Sequence, residues 1–356
     1  MNKKSLLLLP LVGLCGAAFA QSSVTLFGVV DATLAFGRGS IADRTQLTRG
    51  GYNSNRLGFR GVEDLGGGLS ASFHLEAGLN VDDGEGAATN SNNQASGAGA
   101  AVAGRQGLTF NRRSTVSLSG RNWGELRLGR DFTPAYWNNV FGDPFGNVGV
   151  GAAVSYTASI AGVTNTRVSN SIGYLTPAGL GGFGAQIAYY MGEQLNNAAG
   201  GTSDDGDGWA IRGTYDKGPL GLGAGYGRTQ YAAGDIVMRN LNASYNFGVA
   251  KLMSTYNDDR NGAIKARGWV LGVVVPVGAG EAKASYSEHT VRVAGPDPKA
   301  KQIAVGYVHH LSKRTSLYTT YAHISNSNGS ARALNGGLTA GGRSASGLAI
   351  GLRHAF

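Results

Sequence analysis

The chain has 356 residues, 59 of them glycine, with only 15% charged residues, a single cysteine and a formal net charge of +9. One cysteine excludes a disulfide framework and a zinc–cysteine site, and arginines scattered singly, with no basic run, argue against nucleic acid as a partner. Beyond residue 20 there is no stretch of about 20 apolar residues, so helical membrane spans are excluded.

The N-terminus opens with Lys3 and Lys4, continues with an apolar run over residues 6–14, and reaches a small-x-small site at Ala18-Phe19-Ala20. That is the pattern of a cleavable secretory signal, and the run is too short to span a bilayer as a helix. Leu14 is too bulky for the small residue expected before a lipidated cysteine, which disfavours a lipoprotein anchor at Cys15. The expectation is a signal peptide over 1–20 and one secreted domain over 21–356. Cleavage removes Cys15, and a cysteine-free product avoids stray pairing in an oxidising compartment.

From residue 22 onward the hydrophobic period is two. Over 22–36, Val24, Leu26, Val30, Leu34 and Phe36 share one parity, while Thr25, Asp31 and Thr33 share the other. Over 69–79, Leu69, Ala71, Phe73, Leu75 and Leu79 oppose Ser70, Ser72, His74 and Glu76. The last segment, 344–356, places Leu348, Ile350, Leu352, His354 and Phe356 on one face. Strand side chains alternate between faces, so each segment has one oily and one polar side.

The full set of such segments is 22–36, 54–63, 69–79, 111–119, 124–132, 167–176, 183–193, 208–216, 219–231, 235–247, 249–258, 266–277, 280–292, 300–312, 314–325 and 344–356, sixteen in all. Their connections alternate short and long, with long ones at 37–53, 80–110, 133–166, 194–207 and 327–343. Short turns on one side and long loops on the other is the topology of an outer-membrane barrel. The prolines beyond the signal, at 134, 144, 177, 219, 276, 296 and 298, all fall in or beside connections, as a residue that cannot donate to a ladder should.

A soluble sandwich would bury the oily faces in a shared core, and a propeller would show a fixed repeat that is absent here. Instead the oily parity is flanked by Tyr174, Trp209, Tyr215, Tyr245, Tyr256 and Trp269, matching interfacial aromatic girdles. The predicted fold is all-β: a sixteen-stranded antiparallel transmembrane barrel in the outer membrane of a Gram-negative cell.

Such a barrel is too wide for its wall side chains to fill and leaves an aqueous channel unless plugged. The connection 133–166 mixes Trp137, Phe141 and Phe145 with glycines, which suits either a loop packed on the inner wall or an exposed outer loop. Parity points Arg56, Arg60, Arg113, Arg127 and Arg167 inward, and a lipid-facing arginine at the midplane costs about 2–4 kcal/mol. The acids that oppose them are few: Glu76 beside His74, Asp31, and Asp143 in the long connection. A cluster of like charge in a narrow passage attracts counter-ions, so the expectation is a mild anion preference for small ions and solutes.

Enzyme and cofactor signals are weak. Gly221, Gly223, Gly225 and Gly227 resemble a nucleotide loop, but no helix follows, and inward glycines more simply leave lumen space. The run Asp204-Asp205-Gly206-Asp207-Gly208 lacks the bidentate glutamate of a calcium loop. Adjacent His309 and His310 point to opposite faces, so with His323 at most two histidines converge. No metal, cofactor or catalytic group is expected.

Taken together, Ser23-Val-Thr-Leu-Phe-Gly-Val-Val-Asp-Ala, Asn55-Arg-Leu-Gly-Phe-Arg-Gly-Val-Glu-Asp-Leu-Gly-Gly-Gly-Leu, Gly124-Glu-Leu-Arg-Leu-Gly-Arg, Asp143-Pro-Phe-Gly, Asn170-Ser-Ile-Gly-Tyr, Leu311-Ser-Lys-Arg-Thr and Gly351-Leu-Arg-His-Ala-Phe resemble the Gram-negative general porins along the whole of 21–356. The resemblance implies a homotrimer of sixteen-stranded barrels whose third outer loop folds inward to narrow each pore. It implies that Arg56 and Arg167 are constriction arginines, with Arg113 a match whose register slips readily by one because Arg112 precedes it. The family often has a glutamate beside the loop's Phe-Gly; here Pro144 stands there and Asp143 precedes it, which weakens the acidic side of the eyelet. The terminal Phe356 resembles the signal read by the barrel-insertion machinery, so that machinery and periplasmic chaperones are expected partners during assembly, with outer-membrane lipids and lipopolysaccharide afterwards.

An acidic second loop (Asp82, Asp83, Glu85) offers a latch toward a neighbouring subunit's arginine, with Arg130 on the outward parity as candidate. The leading reading is a general diffusion channel. A solute-selective channel is the first rival, disfavoured because the sequence has no aromatic track at regular spacing. A barrel lipid hydrolase is the second, and adhesin or phage-receptor roles of the outer loops are compatible with either channel.

Overall fold

The computed structural model describes residues 23–87, 93 and 107–356. The proposed signal peptide and cleavage site lie outside the described residues.

Among the described residues seventeen strands follow one another antiparallel: β1 (Ser23–Arg38), β2 (Arg44–Arg49), β3 (Arg56–Gly66), β4 (Leu69–Gly78), β5 (Arg113–Gly120), β6 (Gly124–Phe132), β7 (Arg167–Leu175), β8 (Phe183–Tyr190) and β9 (Gly208–Lys217) form the first half. The second half is β10 (Leu220–Thr229), β11 (Ile236–Asn246), β12 (Lys251–Asn261), β13 (Ile264–Val277), β14 (Gly280–Arg292), β15 (Lys299–His310), β16 (Thr315–Ser327) and β17 (Ala345–Ala355). The sheet closes on itself where β1 pairs with β17, from Val29 opposite Ala355 to Arg38 opposite Ser346. Closure removes the edges that a bilayer cannot solvate.

Seventeen strands make sixteen staves. β2 pairs with the upper half of β1 (Ala32–Gly37) and β3 with the lower half (Ser23–Val29), so the two share one position in the wall. The barrel is therefore the sixteen-stranded one the alternation predicts. The second stave starts seventeen residues after Gly37 in the sequence reading because β2 is short and its segment, Arg-Thr-Gln-Leu-Thr-Arg, has a single apolar residue. Pro276 sits one residue from the end of β13, where its missing donor is least disruptive.

The outward parity is oily all the way round. Val24, Leu26 and Leu34 on β1, Val116 and Leu118 on β5, Ile211 on β9, Leu241 on β11, and Ile303 and Val305 on β15 all expose their side chains on the outer face. A water-soluble domain would not leave so much apolar surface uncovered; a bilayer covers it.

The connection between β6 and β7 does not stay outside. It carries helix α1 (Tyr136–Gly142) and a short helix α2 (Val154–Thr157), and these pack on the inner faces of β10–β13 and β12–β15 respectively. The inward glycines of β10 are its seat: a Cβ at Gly223 or Gly225 would collide with the Asn138 side chain. Farther on, Pro144 lies on Gly272 and Ser155 on Gly268. Phe145 and Val150 then pack on Ala304, Ala322 and Ala349, and Val154 and Ala158 on Ala300 and Ile324. The loop is thus laid along one half of the inner wall by small residues beneath it.

Candidate functional site

With the loop against β10–β17, the open lumen is bounded on the other side by β1–β7. That wall carries guanidiniums. Arg56 opens β3, Arg113 opens β5 with Arg112 just before it, Arg127 lies mid-β6, and Arg167 opens β7. Glu76 on β4 is the hub of the upper group: it accepts Nε of Arg112, stands 3.7 Å from Arg56 and 3.3 Å from Nε2 of His74. Asp131 and Glu125 serve a second group, with Arg127 at 2.7 Å from Asp131 and 2.8 Å from Glu125, and Arg113 at 3.5 Å from Asp131. Five guanidiniums face three carboxylates on this wall, which leaves a net positive strip beside the channel.

Between this wall and the loop tip lies a polar cavity of about 330 Å³, lined by Arg49, Asn55, Asn111, Arg112, Asn147 and Arg167 among others. Nδ2 of Asn55 is buried and has no partner among the described residues. Arg167 donates Nε to the Arg112 carbonyl at 2.9 Å and holds its guanidinium 4.2 Å from the centre of the Phe132 ring. Arg60 lies lower, over the Phe27 ring at 5.3 Å, and is exposed.

Two acids face inward without facing the channel. Asp31 is fully buried; its carboxylate accepts the backbone N–H of Tyr52 at 2.9 Å and Asn53 at 2.6 Å and the hydroxyl of Tyr318. It ties down the break between β2 and β3. Asp143 accepts N–H groups from Phe145 at 3.0 Å, Asn147 at 3.1 Å and Ala153 at 3.0 Å, folding the loop tip about its own carboxylate. Burial pushes the Asp143 carboxyl above the usual range, and those three N–H bonds pull it partly back.

A closed barrel of this strand number, with an inward loop and a charged strip opposite it, is channel architecture, and known proteins share it. The Gram-negative porin family matches residues 7–329. Outer membrane porin protein 32 of Delftia acidovorans is 40% identical over 99% of this chain and 100% of its own length. This chain belongs to the Gram-negative porin family. It is an outer-membrane channel protein and not an enzyme.

Among solved structures, the anion-selective porin from Comamonas acidovorans superposes on the porin with a TM-score of 0.80, at 38% identity, over 94% of this chain and 100% of that one. The trimer form of OmpT from Vibrio cholerae, at 15% identity and a TM-score of 0.65 over 94% of this chain and 99% of that one, shares the fold.

The geometry sorts the sequence-selected residues of the porin. Arg56, Arg113, Arg127, Arg167 and Glu76 come together along one wall; Arg60 lies apart, Asp143 holds backbone N–H groups, and Asp31 holds backbone N–H groups and the Tyr318 hydroxyl. Arg112, Arg49, Asp131 and Glu125 join the wall or the cavity without having been singled out. Asp131 and Glu125 were readable, since they share the inward parity of Arg127. Arg112 precedes its strand, where parity does not apply. Arg167 reaches the cavity despite a register shift between Gly129 and Asp131 and a left-handed Asn170 at φ 56°, which together break the parity used to place it.

Arg130 is no free outward cation. It donates Nε to the Asn111 carbonyl at 2.6 Å and a terminal nitrogen to Ser169 Oγ at 2.8 Å. Asp83 is likewise bound within its own turn, accepting from Glu85 N at 2.9 Å and Asn80 Nδ2 at 3.2 Å. The acidic run near 205 closes its loop: Asp205 accepts from Ala232 N at 2.6 Å and Asp207 from Gly192 N at 2.7 Å.

Proposed function

We propose that this porin is a general diffusion channel for small hydrophilic solutes and ions, with a mild preference for anions. The observation that carries it is the strip of Arg56, Arg112, Arg113, Arg127 and Arg167, which Glu76, Glu125 and Asp131 neutralise only in part. Asp143 does not present its carboxylate to the eyelet, because the loop encloses it. In a confined passage with low-dielectric walls, such a strip raises the local anion concentration. The homologue from Comamonas acidovorans, described as anion-selective, agrees in sense. Reversal potential under a salt gradient in a planar bilayer tests the reading: a potential of the cation-selective sign would overturn it.

The working unit is a homotrimer. Strands β1–β6 and β17, which are contiguous in the wall, contain no tyrosine or tryptophan. Strands β7–β16 carry Tyr174, Tyr189, Trp209, Tyr245, Tyr256, Trp269 and Tyr321, all exposed outward. Those rings seek the lipid–water interface, so a sector without them suits protein contact better than lipid. On the lipid side, Arg239, Arg260, Lys265, Arg267 and Arg292 surround Asp258 above the girdle, a cluster suited to lipopolysaccharide phosphates. Residues 1–20 act as a cleaved signal, chaperones escort the chain through the periplasm, and Phe356, whose backbone exchanges 3.1 Å hydrogen bonds with Gly28 at the seam, presents the insertion signal.

A further inference from the structure

Helix α1 turns its polar face to the wall. Asn138, Asn139 and Gly142 are buried, and Asn138 donates to Asn240 at 2.9 Å and accepts Nε of Arg212 at 2.6 Å. The opposite face, Tyr136, Trp137 and Phe141, therefore looks into the lumen, and Phe141 remains 48% exposed there. Large apolar rings in a water-filled passage are unfavourable unless something covers them.

The rings form a continuous row. Phe141 stacks on Trp137 with centroids 5.8 Å apart and planes 22° apart; Trp137 meets Phe132 at 4.9 Å; Phe132 stacks on Tyr136 at 5.1 Å and 7°. Guanidiniums flank the row, Arg212 at 5.1 Å from the centroid of the terminal Phe141 and Arg167 at 4.2 Å from that of Phe132. Burial pushes the Tyr136 hydroxyl upward in pKa, and the charges of Arg167, Arg112 and Arg56 act on it in the opposite sense, so the row stands within electrostatic reach of the basic wall. Packing among themselves accounts for the inner rings. It leaves the outward face of Phe141 unexplained, since among the described residues its ring and cation contacts are Trp137 and Arg212.

We propose that this row is a binding track for planar aromatic carboxylates, which lay the ring on Trp137 and Phe141 and the carboxylate against a flanking guanidinium. The fit is chemical: π-faces and guanidiniums alternate along one surface, and a flat anion with an aromatic body satisfies both at once. The track rests on the anion-preferring channel reading and adds a solute class to it.

The test is block of chloride current through the reconstituted full-length porin by benzoate, compared with cyclohexanecarboxylate, of equal charge and similar size, and with acetate. Benzoate should reduce the current saturably, with half-block at about fivefold lower concentration than cyclohexanecarboxylate, and acetate should follow bulk conductivity. Trp137→Leu and Phe141→Leu should each remove that benzoate advantage, while Trp137→Tyr keeps it. Equal block by benzoate and cyclohexanecarboxylate in the unsubstituted porin would overturn the track, whatever the variants do to loop docking. Reversal potential in potassium chloride separates the two readings: a channel without anion preference sinks the parent reading, whereas preserved preference with no benzoate advantage sinks the track alone.

Discussion

The carboxylate of Asp143 accepts the backbone N–H of Ala153, ten residues farther along, at 3.0 Å, and so pinches the inward loop into a closed tip. Phe145 and Asn147 donate to the same carboxylate. The loop that narrows the lumen therefore owes its shape to one acid that never meets channel water.

Asp143→Ala should leave three N–H groups without their acceptor, a loss of about 3 kcal/mol in loop docking at about 1 kcal/mol each. The strand ladder lies elsewhere, so the barrel should resist heat as before. Single-channel recording should show noisier and larger currents. Asp143→Asn, which keeps one carbonyl acceptor, should fall between. Quiet, unchanged currents in the alanine variant would detach Asp143 from the shape of the pore.

Charge reversal on the basic wall has a different signature. Arg56→Glu combined with Arg167→Glu should shift the reversal potential toward cation selectivity, and the shift should shrink as salt rises past the ionic strength where the screening length falls to about 10 Å. Arg112→Ala should move selectivity farther than Arg113→Ala, because Arg112 lines the cavity beside the loop and Arg113 does not. Equal effects of the two would show that lining the cavity beside the loop is not what sets selectivity.

The alternation of oily and polar residues made the staves legible almost residue for residue, because lipid on one side and water on the other impose the same period on every strand. It failed where that boundary condition lapses. The segment 44–49 is six residues with one apolar side chain, Leu47, so it carries too little alternation to read. On α1, Trp137 and Phe141 share one face and Asn138 and Asn139 the other, apolar to the lumen and amide to the wall, which hydropathy alone reads backwards. Arg167 lies beyond a bulge that breaks the counting of faces.

Asp31 separates a structural acid from a channel acid. On parity it belongs to the eyelet; in the fold it is enclosed by Tyr52, Asn53 and Tyr318. Asp31→Ala should destabilise the seam around β1 by about 3 kcal/mol, read as a lower temperature of barrel unfolding on semi-native gels, because buried bonds to a charged acceptor are lost together. Its effect on ion selectivity should be far smaller than that of Glu76→Gln. A large selectivity change with unaltered heat resistance would return Asp31 to the channel wall.

The seat of the inward loop can be tested from the wall side. Gly268 on β13 leaves room for Ser155, whose backbone a Cβ there would meet at 2.9 Å. Gly268→Val should therefore push the α2 segment off the wall at a cost of about 1–3 kcal/mol, raising conductance without opening the barrel. Gly213 on β9 faces outward and a Cβ there meets nothing within 4 Å, so Gly213→Val adds the same volume to the membrane side and should leave conductance as it was. If both substitutions alter the current alike, the effect comes from β propensity in the wall and not from the loop's footing; if only the inward one does, the small residues beneath the loop set the width of the pore.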